Sequence, residues 1–158
     1  MTIQSLRVLA AALLAAGALT AAQAQGVRPE VAKPLQQASE LLKGGKAKEA
    51  LAKAREADAM AGKTPGEQLM IDRLKGAAAQ RAGDNGTAIA AFESVYGRVS
   101  GAEQAQVAEA IAFAYSQQKN NAKASEWVGK ARAAGGNSSS LNQLAAYLQG
   151  SSLSLIHI

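Results

Sequence analysis

The sequence predicts an all-α chain of three antiparallel helix pairs followed by a lone seventh helix. Three observations carry this. One pattern recurs in Leu35–Ala57, Gly76–Val95 and Ala112–Ala131: a small residue (Ala38, Gly76, Ala112), a polar or glycine-containing break, an alanine (Ala50, Ala88, Ala124), then a small or apolar residue seven positions later (Ala57, Val95, Ala131). The middle alanines stand 38 and 36 residues apart, a period that belongs to stacked helical units rather than to one closed core. No stretch of useful length alternates apolar and polar residues with period two, so no sheet is expected.

Each element follows from local chemistry. Pro29 and Pro34 both suit a first helical turn, where a missing N–H costs nothing, so a first helix starts at one of them and runs to Lys43, with Gly44-Gly45 stopping it. Lys46–Met60 places Ala47, Ala50, Leu51, Ala54 and Ala57 on one stripe. Thr64-Pro65-Gly66-Glu67 is a capping box with proline at the first helical position. The helix it starts runs to about Ala82, with Leu69, Ile71, Leu74, Ala78 and Arg81 giving an apolar side with polar flanks. Gly83–Gly86 turns the chain into Thr87–Tyr96, which carries Ala88, Ile89, Phe92 and Val95 on one face. Ser100-Gly101-Ala102-Glu103 repeats the capping-box signature before a helix to about Gln118. Lys119–Asn121 turns into Ala122–Ala134, with Trp127, Val128 and Ala131 inward. Gly135–Asn137 stops that helix, and Ser138–Ser140 caps a seventh, Leu141–Gln149, lined by Leu141, Leu144, Ala145 and Leu148.

Composition narrows the chemistry. A chain of 158 residues suits one domain, and with aromatics at 4% its core must be Ala, Leu, Ile and Val. Cysteine is absent, which excludes disulfides, thiolate metal sites, a cysteine nucleophile and a lipid-modified N-terminal cysteine. The single histidine, His157, lies in the C-terminal tail, so nucleophile–base pairs and zinc sites have no candidates. Asp72, Asp84 and Glu93 read as surface charges. Ala57–Thr64 meets a loose phosphate-loop pattern, but no strand precedes it, Ala57 falls in a helix, and Pro65 removes the next amide. Asn85-Gly86-Thr87 and Asn137-Ser138-Ser139 match glycosylation sequons but read as turns. No cofactor, metal site or catalytic residue is expected.

The N-terminus points to export. Arg7 is followed by the apolar run Val8–Ala22 and the small-x-small sequence Ala22-Gln23-Ala24. That run has 15 residues, short of the roughly 20 that span a bilayer. Cleavage is expected after Ala24 and the location is periplasmic, with no membrane span in the exported chain. The expected organisation is a signal peptide over 1–24, a leader over 25–33 and a repeat domain over 34–150. Its units are about 34–62, 68–98 and 102–134, with a partial one at 139–150. Residues 151–158 read as a non-native tail, because Leu153-Ser154-Leu155-Ile156-His157-Ile158 matches the translation of a common library transposon end; the natural chain is expected to continue. The formal charge is +5. The surplus in Lys43, Lys46, Lys48, Lys53 and Arg55 reads as a solvated helix face, since no aromatics are interleaved for base stacking, and nucleic acid is not an expected partner.

These residues resemble tetratricopeptide (TPR) repeats. The family orders a small residue, a large or aromatic one, glycine, alanine, an aromatic and alanine. Gly76, Gly83, Ala88 and Phe92 fit in the second unit, Ala112, Tyr115, Ala124 and Ala131 in the third, and Ala38, Leu41, Gly45, Ala50 and Ala57 in the first. Ala54 and Val128 stand where the later aromatic would be. The period exceeds the family's roughly 34 residues by a few, with the extra residues expected in Gly62–Gly66 and Gly97–Gly101; Sel1-like arrays share the architecture. The resemblance implies a right-handed superhelical α-solenoid that binds a protein or peptide on its concave face. By position that surface includes Lys43, Arg73, Ala77, Gln80, Arg81, Gln106, Glu109, Phe113 and Gln117, with Phe113 the leading contact. A clamp for a peptide's terminal carboxylate is not expected, because Ser39, Ala77 and Phe113 replace its asparagines. The function implied is a non-enzymatic scaffold or adaptor in the bacterial envelope. The alternatives are a docking module of a larger enzyme whose catalytic domain lies beyond residue 150, and a structural factor tethered by an uncleaved N-terminus.

Overall fold

Apolar stripes of helical period, punctuated by glycine and proline, become seven helices in the computed structural model, which describes residues 26–154 and, for 152–154, the backbone alone. They are α1 (Pro29–Lys43), α2 (Ala47–Asp58), α3 (Pro65–Ala82), α4 (Asn85–Tyr96), α5 (Gly101–Gln117), α6 (Asn121–Ala133) and α7 (Ser139–Ser154). Among the described residues there is no strand. The expected signal segment, its cleavage point and the end of the tail lie outside the described residues.

The chain divides into two compact units, one ending at Ser94 and the other starting at Val95, so α4 runs across the division. In the first unit α1 packs on α2, and α3 packs on both. α4 joins α3 where the Phe92 ring covers Gly76; a β-carbon there would lie 2.6 Å from Phe92 Cε1. In the second unit α5 packs on α6 and α6 on α7. There Trp127 is buried, with the Tyr96 ring edge-on at 4.9 Å and the Lys130 ammonium over its face at 3.9 Å.

The recurrence in the sequence has a backbone counterpart. α1 ends with Lys46 N–H donating to Leu41 O (2.8 Å) and Gly45 N–H to Leu42 O (3.2 Å). α3 ends with Asp84 N–H on Ala79 O (2.9 Å) and Gly83 N–H on Gln80 O (3.3 Å), and α5 with Asn120 N–H on Tyr115 O (3.0 Å) and Lys119 N–H on Ser116 O (2.9 Å). Each pair of bonds is a Schellman motif closed by a left-handed residue: Gly45 (φ 76°), Gly83 (φ 80°) and Lys119 (φ 60°). In each, the next residue's carbonyl accepts the amide of the pattern's middle alanine: Lys46 from Ala50, Asp84 from Ala88, Asn120 from Ala124. The three alanines thus occupy one place, the first turn of the second helix. None of them keeps any exposed surface, and Ala57, Val95 and Ala131 are equally buried. A larger side chain there would overpack the pair. Ala38, Gly76 and Ala112 on the facing helices are buried as well.

Four expectations need correction. α3 is buried on most of its circumference, through Met70, Ile71, Leu74 and the run Gly76–Ala79, whereas Leu69 is only half-buried; a one-sided stripe does not describe a helix covered by α1, α2 and α4. Asp72 is buried, not a surface charge, because Lys75, Gln68 and Ser94 satisfy it. Ser100 makes no capping bond: Gly101 takes a left-handed φ of 61° and turns the chain away from the box geometry that Pro65 enforces at α3. α7 continues through Gly150 to Ser154, past its expected end at Gln149, since Gly150 stays helical instead of taking the left-handed conformation that Gly45 and Gly83 adopt after α1 and α3.

Candidate functional site

The expected partner-binding residues fall into both units. In the first, Lys43 is exposed in the last turn of α1 and Arg81 is exposed in the last turn of α3. The Arg81 guanidinium donates to Leu42 O at 3.0 Å, which brings these two cations to one end of the unit. Arg73 and Gln80 lie two turns apart on the same side of α3, both half-buried. In the second unit Glu109, Phe113 and Gln117 form one stripe of α5, the first two half-buried and the third exposed.

Two of these residues have structural work. Arg81 caps the carbonyl end of α1. Glu109 accepts from Ser138 Oγ at 2.7 and 2.8 Å, while the same hydroxyl accepts from the Leu141 amide at 3.0 Å, so the carboxylate orients the cap of α7. Phe113 is half-buried, and among the described residues the large apolar side chain exposed to solvent is instead Tyr147 of α7, at 61%. Sequence patterning did not single out Tyr147, because it flanks the stripe Leu144, Ala145 and Leu148 and differs from it only by its angle around the helix.

The first unit also contains polar groups that only tertiary structure brings together. Arg28, in the leader, donates from its backbone N and from Nε to Glu67 Oε1, both at 3.0 Å, and from Nη2 to Oε2 at 3.1 Å. The Thr64 amide adds a bond of 2.8 Å and the Glu67 amide returns one to the Thr64 hydroxyl at 3.1 Å, completing the expected capping box. Arg28, followed by those backbone amides, pulls the buried Glu67 carboxyl from its ordinary value of 4.5 to about 2. A second cluster joins α2, α3 and α4. Lys75 Nζ lies 2.6 Å from Asp58 Oδ2 and 3.1 Å from Asp72 Oδ1. Gln68 donates to both carboxylates, and Ser94 Oγ donates to Asp72 at 2.8 Å. Burial pushes the Asp58 carboxyl upward, but hydrogen bonds from Gln68 and Lys75 leave it below its ordinary value. Burial likewise lowers Lys75 while its two carboxylate partners leave it raised. Every charge in this cluster faces an opposite one, as a buried network requires.

The phosphate-loop look-alike is a helix end and a turn. Ala57 and Asp58 close α2, and the Lys63 ammonium donates to the carbonyl oxygens of Asp58 and Met60, at 2.7 Å to the latter. Asp84 and Glu93 are partly or fully exposed; Asp84 caps α4 through the Thr87 amide and pairs with Arg55 at 3.0 Å. Among the described residues no three His, Asp or Glu side chains converge as a metal site would require, and no helix is long and apolar enough to cross a membrane. The described site therefore offers side chains for contact, spread over helix ends and faces. No protein-family model, curated protein or solved structure matches this chain.

Proposed function

We propose that this chain is a non-enzymatic binding module: a TPR-like α-solenoid of the bacterial envelope that holds a protein or extended peptide on the concave side of its first-of-pair helices α1, α3 and α5. The observation that carries the reading is the threefold helix–turn–helix with its buried alanines, a unit whose apolar faces are completed by neighbours and which characteristically presents an extended surface. Arg73 on α3 and Phe113 on α5 are of residue types enriched at interfaces, and Gln80 and Gln117 beside them add hydrogen-bonding groups. The basic start, apolar run and Ala22-Gln23-Ala24 site support export to the periplasm.

The test is affinity capture with the tagged full chain expressed in a bacterial envelope, followed by binding measurements with the purified partner. Arg73→Ala and Phe113→Ala are expected to weaken binding about tenfold or more each, the range of interface hot spots, while Lys123→Ala on α6 leaves it unchanged. A partner indifferent to all three substitutions, or none retained over empty resin, overturns the reading. N-terminal sequencing of the exported protein is expected to begin at Gln25.

A further inference from the structure

The basic residues that read in sequence as one solvated face divide into two sets in the structure. Lys53 pairs with Glu56 at 2.8 Å, Arg55 with Asp84 at 3.0 Å, and Lys75 with Asp58 and Asp72. At the turn between α1 and α2 the balance differs. Among the described residues Lys43 and Lys48 meet no carboxylate, both are exposed, and Arg81 bonds only the Leu42 carbonyl. Lys46 reaches Glu49 at 3.8 Å, with both side chains 61% exposed, a pair worth little in water. Lys46, Lys48 and Arg81 line an open depression of about 360 Å³ together with Gly45, Ala47, Glu49 and Ala82, and Lys43 is two residues before Gly45. The carboxylates nearest in the chain are Glu49 and, one turn back on α1, Glu40. Three lining cations and the nearby Lys43 therefore stand against one lining carboxylate, Glu49, and Glu40 one turn away, while the cations farther along α2 are matched.

We propose that this end of the first unit docks an acidic segment of a polypeptide partner, with Lys43, Lys46, Lys48 and Arg81 receiving Asp or Glu side chains. The proposal rests on the binding-module reading and adds the chemistry of what is bound. A polypeptide is favoured over a flat anionic surface because three of the four cations line a depression, into which a single extended segment fits, and because Arg81 presents a planar fork suited to carboxylates.

The test uses the whole chain and a labelled oligoglutamate peptide, with an oligoglutamine peptide as the neutral control. Fluorescence anisotropy at about 10 mM salt is expected to show binding of the acidic peptide only, weakening steeply toward about 150 mM as exposed charges are screened. Lys43→Gln/Lys48→Gln is expected to reduce affinity about tenfold, because rim charges act chiefly through long-range attraction. Lys53→Gln/Arg55→Gln, which removes matched cations, is expected to stay within about twofold. Arg81 is left intact in both variants because it caps α1, and unchanged circular dichroism melts show that each variant is folded. Equal losses in the two double variants, or no discrimination between the peptides, overturn the proposal. Phosphatidylglycerol vesicles or inorganic phosphate that displace the acidic peptide at lower charge concentration also overturn it, in favour of a lipid or free-anion site. A captured partner that needs Arg73 and Phe113 but tolerates Lys43→Gln/Lys48→Gln leaves the module reading standing and removes only this docking assignment.

Discussion

The second and third helix pairs follow the same path with different residues at three places: where the first helix starts, where the two helices meet, and where the chain turns between them. α3 starts on a complete capping box with Arg28 folded over it, whereas α5 starts from Ser100 with no capping bond and a left-handed Gly101. The second pair places Gly76 under the Phe92 ring; at the matching positions the third has Ala112 and Val128, both buried. The second turn uses Gly83 in the left-handed region and the third uses Lys119. What recurs is therefore a backbone path, not particular side chains. A glycine lies under the phenylalanine ring in one pair, and a buried alanine and a buried valine hold the matching positions in the other.

The most severe way to break this comparison is to empty the second pair's contact. Phe92→Ala is expected to cost about 3–5 kcal/mol, the range for a buried phenylalanine, read by denaturant or thermal unfolding; a loss below that of an ordinary surface substitution would show that the ring does not fill the space above Gly76. Next is Arg28→Ala, which removes the guanidinium and leaves the buried Glu67 carboxylate with only the backbone amides of residue 28 and Thr64, and is expected to lower the melting temperature clearly at neutral pH. The same pair fixes a pH dependence. Glu67 binds protons less readily folded than unfolded, so its contribution is whole above about pH 4.5 and is lost as pH falls toward about 2. Glu67→Gln should flatten the stability profile in that window and nowhere above it.

Smaller changes sharpen the comparison. Gly76→Ala in a helix would ordinarily stabilise by somewhat under 1 kcal/mol; here the new methyl meets the Phe92 ring, and a net loss of about 1–3 kcal/mol is expected. Adding Phe92→Val, which recreates the third pair's combination, should recover part of that loss in a double-mutant cycle, and simple additivity would refute the volume argument. Lys46→Asp gives α2 the kind of cap that Asp84 and Asn120 already provide and is expected to add about 1 kcal/mol. Lys119→Gly should relieve the left-handed strain for a gain of about 1 kcal/mol or less, read by thermal unfolding.

Helix number, turns and the buried alanines were legible because each depends on neighbours in sequence: a stripe, a glycine, a cap. Thr64-Pro65-Gly66-Glu67 was readable in full, since both halves of the box are three residues apart. Its outer partner Arg28 was not, because 39 residues intervene. Asp72 was misread for the same reason. A carboxylate at a position flanked by Arg73 and Lys75 looks solvated until Ser94 bonds it and Lys75 ties it to Asp58 at the end of α2. Ser100 shows the reverse failure, in which a local signature is present but one dihedral at Gly101 defeats it. Of the candidate site, positions on α1, α3 and α5 could be counted off the repeat. Which cations remain unmatched, and the exposure of Tyr147, depend on distances that no spacing rule encodes.

The chain has a single tryptophan, Trp127, enclosed in the second unit beside Tyr96 and Lys130. Its emission is thus a built-in reporter of one half of the molecule, while far-ultraviolet dichroism registers helix throughout. Denaturation curves from the two signals that superimpose would mark a single cooperative block, and curves that separate would expose the stepwise, neighbour-to-neighbour melting typical of repeat arrays.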